Sequence, residues 1–275
     1  MAFESLDYHF LQSDYDANWE LFHENSKTSF VELHHLFKFW PSDATVVAGM
    51  NMLRRVKPYA DFPKLALPTS LPASSKSFDD VLHTRHTARS FGSGFMPLEQ
   101  LAKILVMSYG VNRSNAGTSY PRPFRVIPSG GALYPLEIYI HATRVHGLQP
   151  GLYHYDPEDH ALDILRNADE SETISCMMVQ SDLGRGAAAI LMISAVFARS
   201  TFKYGDRGYR FVLFEAGHLS QNANLTAQEM NLVTANIGGY NDRAIDRYLG
   251  LDGVNESTIY MLLVGTAAAS DNTGS

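Results

Sequence analysis

Cysteine is almost absent from this chain: Cys176 is the only one in 275 residues. A single thiol excludes an internal disulfide and any metal site built from several cysteines. Its neighbours Ile174, Ser175, Met177 and Met178 read as a helix face, which predicts a buried, inert thiol. Basic runs are missing too. Lys+Arg number 22 against 29 Asp+Glu, a net charge of −7, and that balance disfavours nucleic-acid binding. No apolar stretch reaches the length a membrane span needs. Residues 1–15, polar and aromatic with Asp7 and Asp14, lack the basic start and apolar core of a secretory signal, so a cytoplasmic protein is expected. No histidine pair stands at metal-ligand spacing near a third ligand; His34 and His35 are adjacent and point to different helix faces. Internal repeats are lacking, as is low complexity beyond the polar tail at 270–275.

What the chain has is 45% hydrophobic residues, enough at this length for a substantial core in one large domain or two small ones. Residues 19–39 space Leu21, Phe22, Phe30, Leu33, Leu36 and Phe37 as one or two amphipathic helices do, until Pro41 stops the pattern. Residues 57–77 hold Pro58, Pro63, Pro68 and Pro72 with several serines, a composition suited to an extended linker wrapping a surface. The expected division is a helical extension and linker over 1–77 and a main domain over 78–275. In the latter, 78–83 predicts a short helix, and Pro97 opens a helix over 98–109 that Gly110 ends. Residues 136–145 alternate, while 151–155, 156–160 and 161–165 read as strand, turn, strand. The apolar run 187–197 fits a fully buried strand. A long helix follows over 207–231, with Phe211, Phe214, Leu219 and Leu225 as candidate buried positions, then strands at 232–237 and 257–264. Few strict β-α-β alternations argue for an α+β fold.

Four segments could carry chemistry. Arg85-His86-Thr87-Ala88-Arg89 sets two guanidiniums and a hydroxyl at a helix end, able to grip a phosphate; a solvated basic helix end accounts for it as well. Pro128-Ser129-Gly130-Gly131-Ala132-Leu133-Tyr134-Pro135 puts two glycines before a strand, where they allow close backbone approach to a flat ligand or simply a tight turn. Ile237-Gly238-Gly239-Tyr240 offers the same pair of readings. Lys203-Tyr204 lies where the buried strand is to hand over to the long helix. Most lysines are solvated charges, but an amine and a phenol side by side at such a junction can move a proton.

In this order the segments resemble the flavin-dependent nitroreductase superfamily. Lys203-Tyr204, with Gly205-Asp206-Arg207-Gly208-Tyr209 after it, resembles the SagB-type azoline dehydrogenases within it, which make thiazoles and oxazoles; general nitroreductases do not usually show the pair. The likeness runs over roughly 78–266, and Phe22-His23-Glu24-Asn25-Ser26-Lys27 is similar to a motif common ahead of such domains. It implies a nitroreductase-like fold, a central mainly antiparallel sheet flanked by helices, that binds FMN at the interface of a homodimer. Arg85, His86, Thr87 and Arg89 would then hold the ribityl phosphate. Ser129, Gly130 and Gly131 would lie against the isoalloxazine, and the backbone of Gly238 and Gly239 would face the ring edge and tune its potential. Glu215-Ala216-Gly217-His218-Leu219-Ser220 is similar to the helix motif that packs the dimer, with His218 expected as a helix-face residue satisfied locally. One departure stands out. Relatives commonly continue Val-Gly into Arg or Pro after the last strand, whereas this chain reads Val264-Gly265-Thr266-Ala267, so phosphate binding would rest on Arg85 and Arg89.

The implied activity is FMN-dependent oxidation of thiazoline or oxazoline rings, carried on a peptide or a carrier, with a cyclodehydratase or synthetase as partner. Lys203 would take the ring proton, Tyr204 would orient the ring or donate to its nitrogen, and the flavin would accept hydride. For that, desolvation and nearby cations must bring the amine down from about 10.4. Two other readings remain: an NAD(P)H-dependent nitro or quinone reductase on the same fold, and a non-catalytic scaffold subunit of an azole-forming complex, which the lost C-terminal arginine favours.

Overall fold

A computed structural model of the chain describes residues 18–28, 43–53, 56–117 and 122–268. Two compact units divide it, one over residues 1–40 and one over 41–275. The first contains helix α1 (Asn18–Asn25), none of whose residues is buried; Trp19 and Leu21 are exposed. The helix stops at Asn25, residues 26–28 turn away from it, and 29–39 of the helical run expected up to Phe39 lie outside the described residues.

The second unit is built on a seven-stranded sheet with strands β1 (Lys64–Ala66), β2 (Leu136–Ala142), β3 (Gly151–Asp156), β4 (Ala161–Arg166), β5 (Ala189–Val196), β6 (Leu232–Ile237) and β7 (Glu256–Thr266). Their spatial order is β1-β4-β3-β2-β5-β7-β6, and every neighbouring pair is antiparallel. Helices α2 (Asp43–Met52), α3 (Phe78–Thr84), α4 (Leu98–Tyr109), α5 (Ser171–Cys176), α6 (Ser181–Gly186), α7 (Ala198–Tyr204), α8 (Arg207–Glu229) and α9 (Asp242–Leu249) complete the unit. This is the α+β arrangement expected, an antiparallel sheet flanked by helices.

Strand β5 lies inside the sheet between β2 and β7, where its uninterrupted apolar run can be covered on both faces by the flanking helices. One face of the sheet presents Leu136, Ile138, Leu191 and Ile193 to α4 and α8, which answer with Leu101, Leu105, Val212 and Leu219. The other presents Tyr139, Met192 and Met261 to a second core with Ile174 of α5 and Ile245 of α9. In β2 the sequence alternates apolar and polar, yet all seven residues are buried. Glu137 and His141 therefore sit under protein rather than water, and each finds partners there.

The proline-rich stretch 57–77 belongs to the second unit and supplies part of its structure. Its residues 64–66 pair with β4 as the edge strand β1. The Glu229 carboxylate accepts from the backbone N–H of Ser75 at 2.9 Å and pairs with the buried amine of Lys103 at 2.7 Å.

Three local expectations need correction. The strand at 189–196 does not run directly into the long helix: α7 intervenes. Cys176 is exposed, because α5 turns Ile174 and Ser175 inward, and its thiol meets the Glu172 carboxylate at 3.3 Å. On α8 the inward stripe is Val212, Ala216, Leu219 and Ala223 at helical spacing, so Phe211 and Leu225 are only half-buried and Phe214 is 58% exposed.

Candidate active site

The position of Lys203 and Tyr204 follows from two glycines. Helix α7 ends at Gly205, whose φ of 56° is a conformation L side chains rarely adopt. Gly208 then lets α8 start hard against α7: a Cβ there would stand 2.9 Å from Thr201 Cα and 3.0 Å from the Ser200 carbonyl. The sharp reversal aims the last turn of α7 at the loop before β2.

That loop is strained on its own account. Gly131 (φ 66°), Ala132 (φ 53°) and Tyr134 (φ 48°) all lie in the left-handed region, two of them without being glycine. Ser129 Oγ accepts from the Tyr134 backbone N–H at 3.0 Å and holds the turn. At Gly131 a Cβ would fall 2.6 Å from the Tyr204 hydroxyl and 2.9 Å from Lys203 Nζ, so both polar atoms stand over the bare backbone of this residue. Gly130 is pressed in the same way against Phe211, at 3.1 Å. Phe211 also meets the Tyr204 ring edge-on, with centroids 4.9 Å apart. Lys203 and Tyr204 are both half-buried, and burial pushes the Tyr204 phenol up. Lys203, Ser129 and Gly131 line a cavity of about 690 Å³ together with Arg113, Arg125 and Tyr134.

Under the loop sits Glu215 of α8, 2% exposed. Burial pushes its carboxyl up to about 7, outweighing hydrogen bonds from the Ser129 and Tyr109 hydroxyls and the more distant charges of Arg125 and Arg199. Tyr109 donates to Glu215 at 3.0 Å and accepts from the Leu136 backbone N–H at 2.9 Å. Arg125 lies 4.1 Å above the Tyr109 ring. Sequence reading placed Glu215 only in a packing motif; the signal for more was a charged residue on the buried stripe of α8.

The other expected site residues stand elsewhere. Thr87 bridges Thr234 of β6 in parallel, and the Ala88 N–H donates to the Thr234 carbonyl at 2.8 Å, so the Arg85–Arg89 stretch runs along the β6 edge of the sheet. Arg85 caps α3 and is half-buried; His86, Thr87 and Arg89 are exposed. Gly238 and Gly239 follow the end of β6, about 13 Å along that edge at about 3.3 Å per residue. Gly238 has nothing within 4 Å of its Cβ position, while Gly239 packs on Val179 at 3.0 Å. Thr266, which stands where relatives commonly carry Arg or Pro, has a buried hydroxyl with no hydrogen-bond partner, 2.8 Å from the Cβ position of Gly92. The chain thus gathers Ser129, Gly130, Gly131, Lys203 and Tyr204 in one place; Arg85, His86, Thr87, Arg89, Gly238 and Gly239 do not line that cavity. His218 is exposed on α8 and does not line it either.

Known proteins resemble this chain in sequence and in fold. The profile of the nitroreductase family matches residues 82–266. A Methanocaldococcus jannaschii protein named as a nitroreductase is 33% identical over 187 residues, 68% of this chain and 89% of its own. The microcin B17-processing protein McbC of Escherichia coli is 27% identical over 249 residues, 88% of this chain and 82% of its own. Among solved structures, a chain from Anabaena variabilis named as a nitroreductase aligns over 76% of this chain with a TM-score of 0.64 and 25% identity, though this chain spans only 42% of it. A chain of the E. coli microcin synthetase McbBCD complex, solved with truncated pro-MccB17 bound, aligns over 90% of this chain and 86% of its own with a TM-score of 0.57 and 25% identity. The match over two-thirds of its length makes the chain a member of the nitroreductase family.

Proposed function

We propose that the protein is an FMN-dependent azoline dehydrogenase, which oxidises thiazoline or oxazoline rings of a peptide or carrier-bound substrate to thiazoles or oxazoles with Lys203 as general base. The observation that carries this reading is the convergence of Lys203 Nζ and the Tyr204 hydroxyl over Gly131. Likeness to a microcin-processing protein, and to a chain solved in a complex with a pro-peptide, supports a ring-bearing peptide as substrate and a synthetase as partner.

The residues suit FMN. The backbone at Gly238, with nothing within 4 Å of its Cβ position, can lie against a flat ring, and the exposed Arg89 and Thr87 with the half-buried Arg85 offer donors for a phosphate. FMN, when bound, supplies the acceptor for the hydride. The chain's own residues manage the proton. Lys203 Nζ removes it from the ring carbon, from a half-buried position in the cavity that Arg113 and Arg125 also line. Tyr204, its phenol pushed up by burial, stays protonated and donates to the ring nitrogen. Because the Arg85–Arg89 edge and the Lys203 cavity lie apart in one chain, a second copy would bring the two halves together. The exposed Phe202, Leu213 and Phe214 on α7 and α8 offer apolar surface for that homodimer.

Anaerobic mixing of the FMN-loaded protein with an azoline peptide should bleach the flavin, and Lys203→Ala should keep its flavin while bleaching roughly 10²- to 10⁴-fold more slowly. Equal rates would remove Lys203 from the chemistry. Likeness to proteins named as nitroreductases favours a second reading, reduction of nitro compounds by NAD(P)H; rapid NAD(P)H oxidation with a nitroaromatic, and no bleaching by azoline, would establish it instead.

A further inference from the structure

The polar face of β2 carries a buried ionic chain that ends on the helix bearing Lys203. Asp163 of β4 meets His154 Nδ1 of β3 at 3.0 Å, and His154 Nε2 meets Glu137 Oε2 of β2 at 2.8 Å. Glu137 Oε1 accepts from Arg199 Nη2 of α7 at 2.5 Å and from the Lys57 backbone N–H at 2.9 Å. None of the four side chains is more than 3% exposed. Arg199 occupies the first turn of α7, and Lys203 stands four residues on, one turn along the same face. That face touches one continuous stretch of chain twice. Arg199 grips Glu137, and Lys203 Nζ stands over Gly131, six residues before it.

Taking Lys203 as the base, as proposed above, we infer that Arg199 and Glu137 are positioning residues: their ion pair, backed by His154 and Asp163, sets the rotation and reach of α7 so that the amine stands over Gly131. Stability alone does not account for the pair. Removing two charges from water costs about as much as their attraction returns, and apolar side chains of similar volume generally serve as well. Here the cost is higher still, since Arg199 Nε and Nη1 are buried without a hydrogen-bond partner. What a guanidinium fork gives that an apolar side chain does not is direction. Helix α7 needs it: at seven residues it is too short to hold itself, and it ends at once in Gly205.

The test compares Arg199→Met, Arg199→Lys, the double variant Arg199→Met/Glu137→Gln and Lys203→Ala, each as the full flavin-loaded chain. Arg199→Met is expected to lower kcat for azoline oxidation by about 10- to 10²-fold, the scale of a 1 Å misplacement, with KM and flavin content little changed. Arg199→Lys should recover part of that loss. The double variant no longer buries a lone carboxylate, so its Tm should climb back toward wild type while kcat stays low. A second readout needs no turnover. Peptide mass spectrometry should find Lys203 acylated several-fold faster by an amine reagent in Arg199→Met than in wild type, with the exposed Lys27 as internal reference. Wild-type kcat in Arg199→Met, or kcat recovering together with Tm in the double variant, overturns the inference while leaving Lys203 as base. Undiminished turnover in Lys203→Ala would instead overturn the base assignment and this inference with it.

Discussion

Glu137 and Glu215 are the same residue type, buried almost equally at 3% and 2% exposure, and they flank the candidate site from opposite faces of the sheet. Their acidities nevertheless diverge. Burial pushes both carboxyls up, but at Glu137 the Arg199 guanidinium and the His154 imidazole, the latter itself raised by its carboxylate partners against the pull of burial, hold the group down at about 2. Glu215 receives its hydrogen bonds from two neutral hydroxyls, with cations acting only from further off, and rises to about 7. Depth of burial does not decide the charge of a carboxyl; the charge of its donor does. One face of the site is thereby locked as an ion pair, and the other holds a proton that leaves near neutrality.

Breaking the locked side should have the largest effect. Glu137→Ala leaves Arg199 as a buried cation without its carboxylate, while His154 keeps Asp163, and loss of one partner from such a pair costs about 3–5 kcal/mol. Urea denaturation at pH 7 measures it, and a loss below about 1 kcal/mol would mean that water reaches the cluster.

Next comes the proton on Glu215. A carboxyl held above its unfolded value keeps a proton that the unfolded chain has already released, so its contribution is fully present below about pH 4.5 and is lost as pH rises through about 7. Glu137 runs the other way, its contribution present above about pH 4.5 and lost as pH falls toward 2. Glu215→Gln should therefore gain on wild type by about 3 kcal/mol between pH 4.5 and 7 and run parallel to it above. A difference that stays flat across that window would show the carboxyl to be ionised throughout.

How far such a site can be read in advance depends on whether its parts are neighbours in the chain. The hairpin at 151–166 and helix α4 were legible because turn residues and a helical stop sit beside strongly patterned segments. Two short words read separately, Ser129-Gly130-Gly131 and Lys203-Tyr204, are brought into contact by the fold. Helix α7 was not legible, because its seven residues are defined by a tertiary contact, the bare Gly208 against Thr201, rather than by any period. Phe214 misled for a related reason: it lies two residues, about 200° of helical turn, from the inward Val212. The ionic chain was invisible for a third. Asp163, His154 and Glu137 come from three strands and Arg199 from a helix, and alternation in β2 marks Glu137 as a residue for water.

The smallest effect should come from Tyr109→Phe, which sharpens the comparison by removing one neutral donor from Glu215 and leaving its burial intact. Two bonds disappear. Leu136, fully buried, loses the acceptor of its backbone N–H, a cost of about 1–3 kcal/mol, and Glu215 loses a hydrogen bond that favours its charged form. The carboxyl should therefore titrate above 7, moving the pH dependence of stability upward, whereas Glu137 across the sheet should keep its acid limb unchanged. Stability against pH in Tyr109→Phe, with Glu215→Gln/Tyr109→Phe as the control that cannot titrate, reads the shift directly. Movement of the inflection below 7 would mean that Tyr109 shields the carboxyl from water rather than stabilising its charge, and a neutral donor would then have no part in setting the acidity of this face.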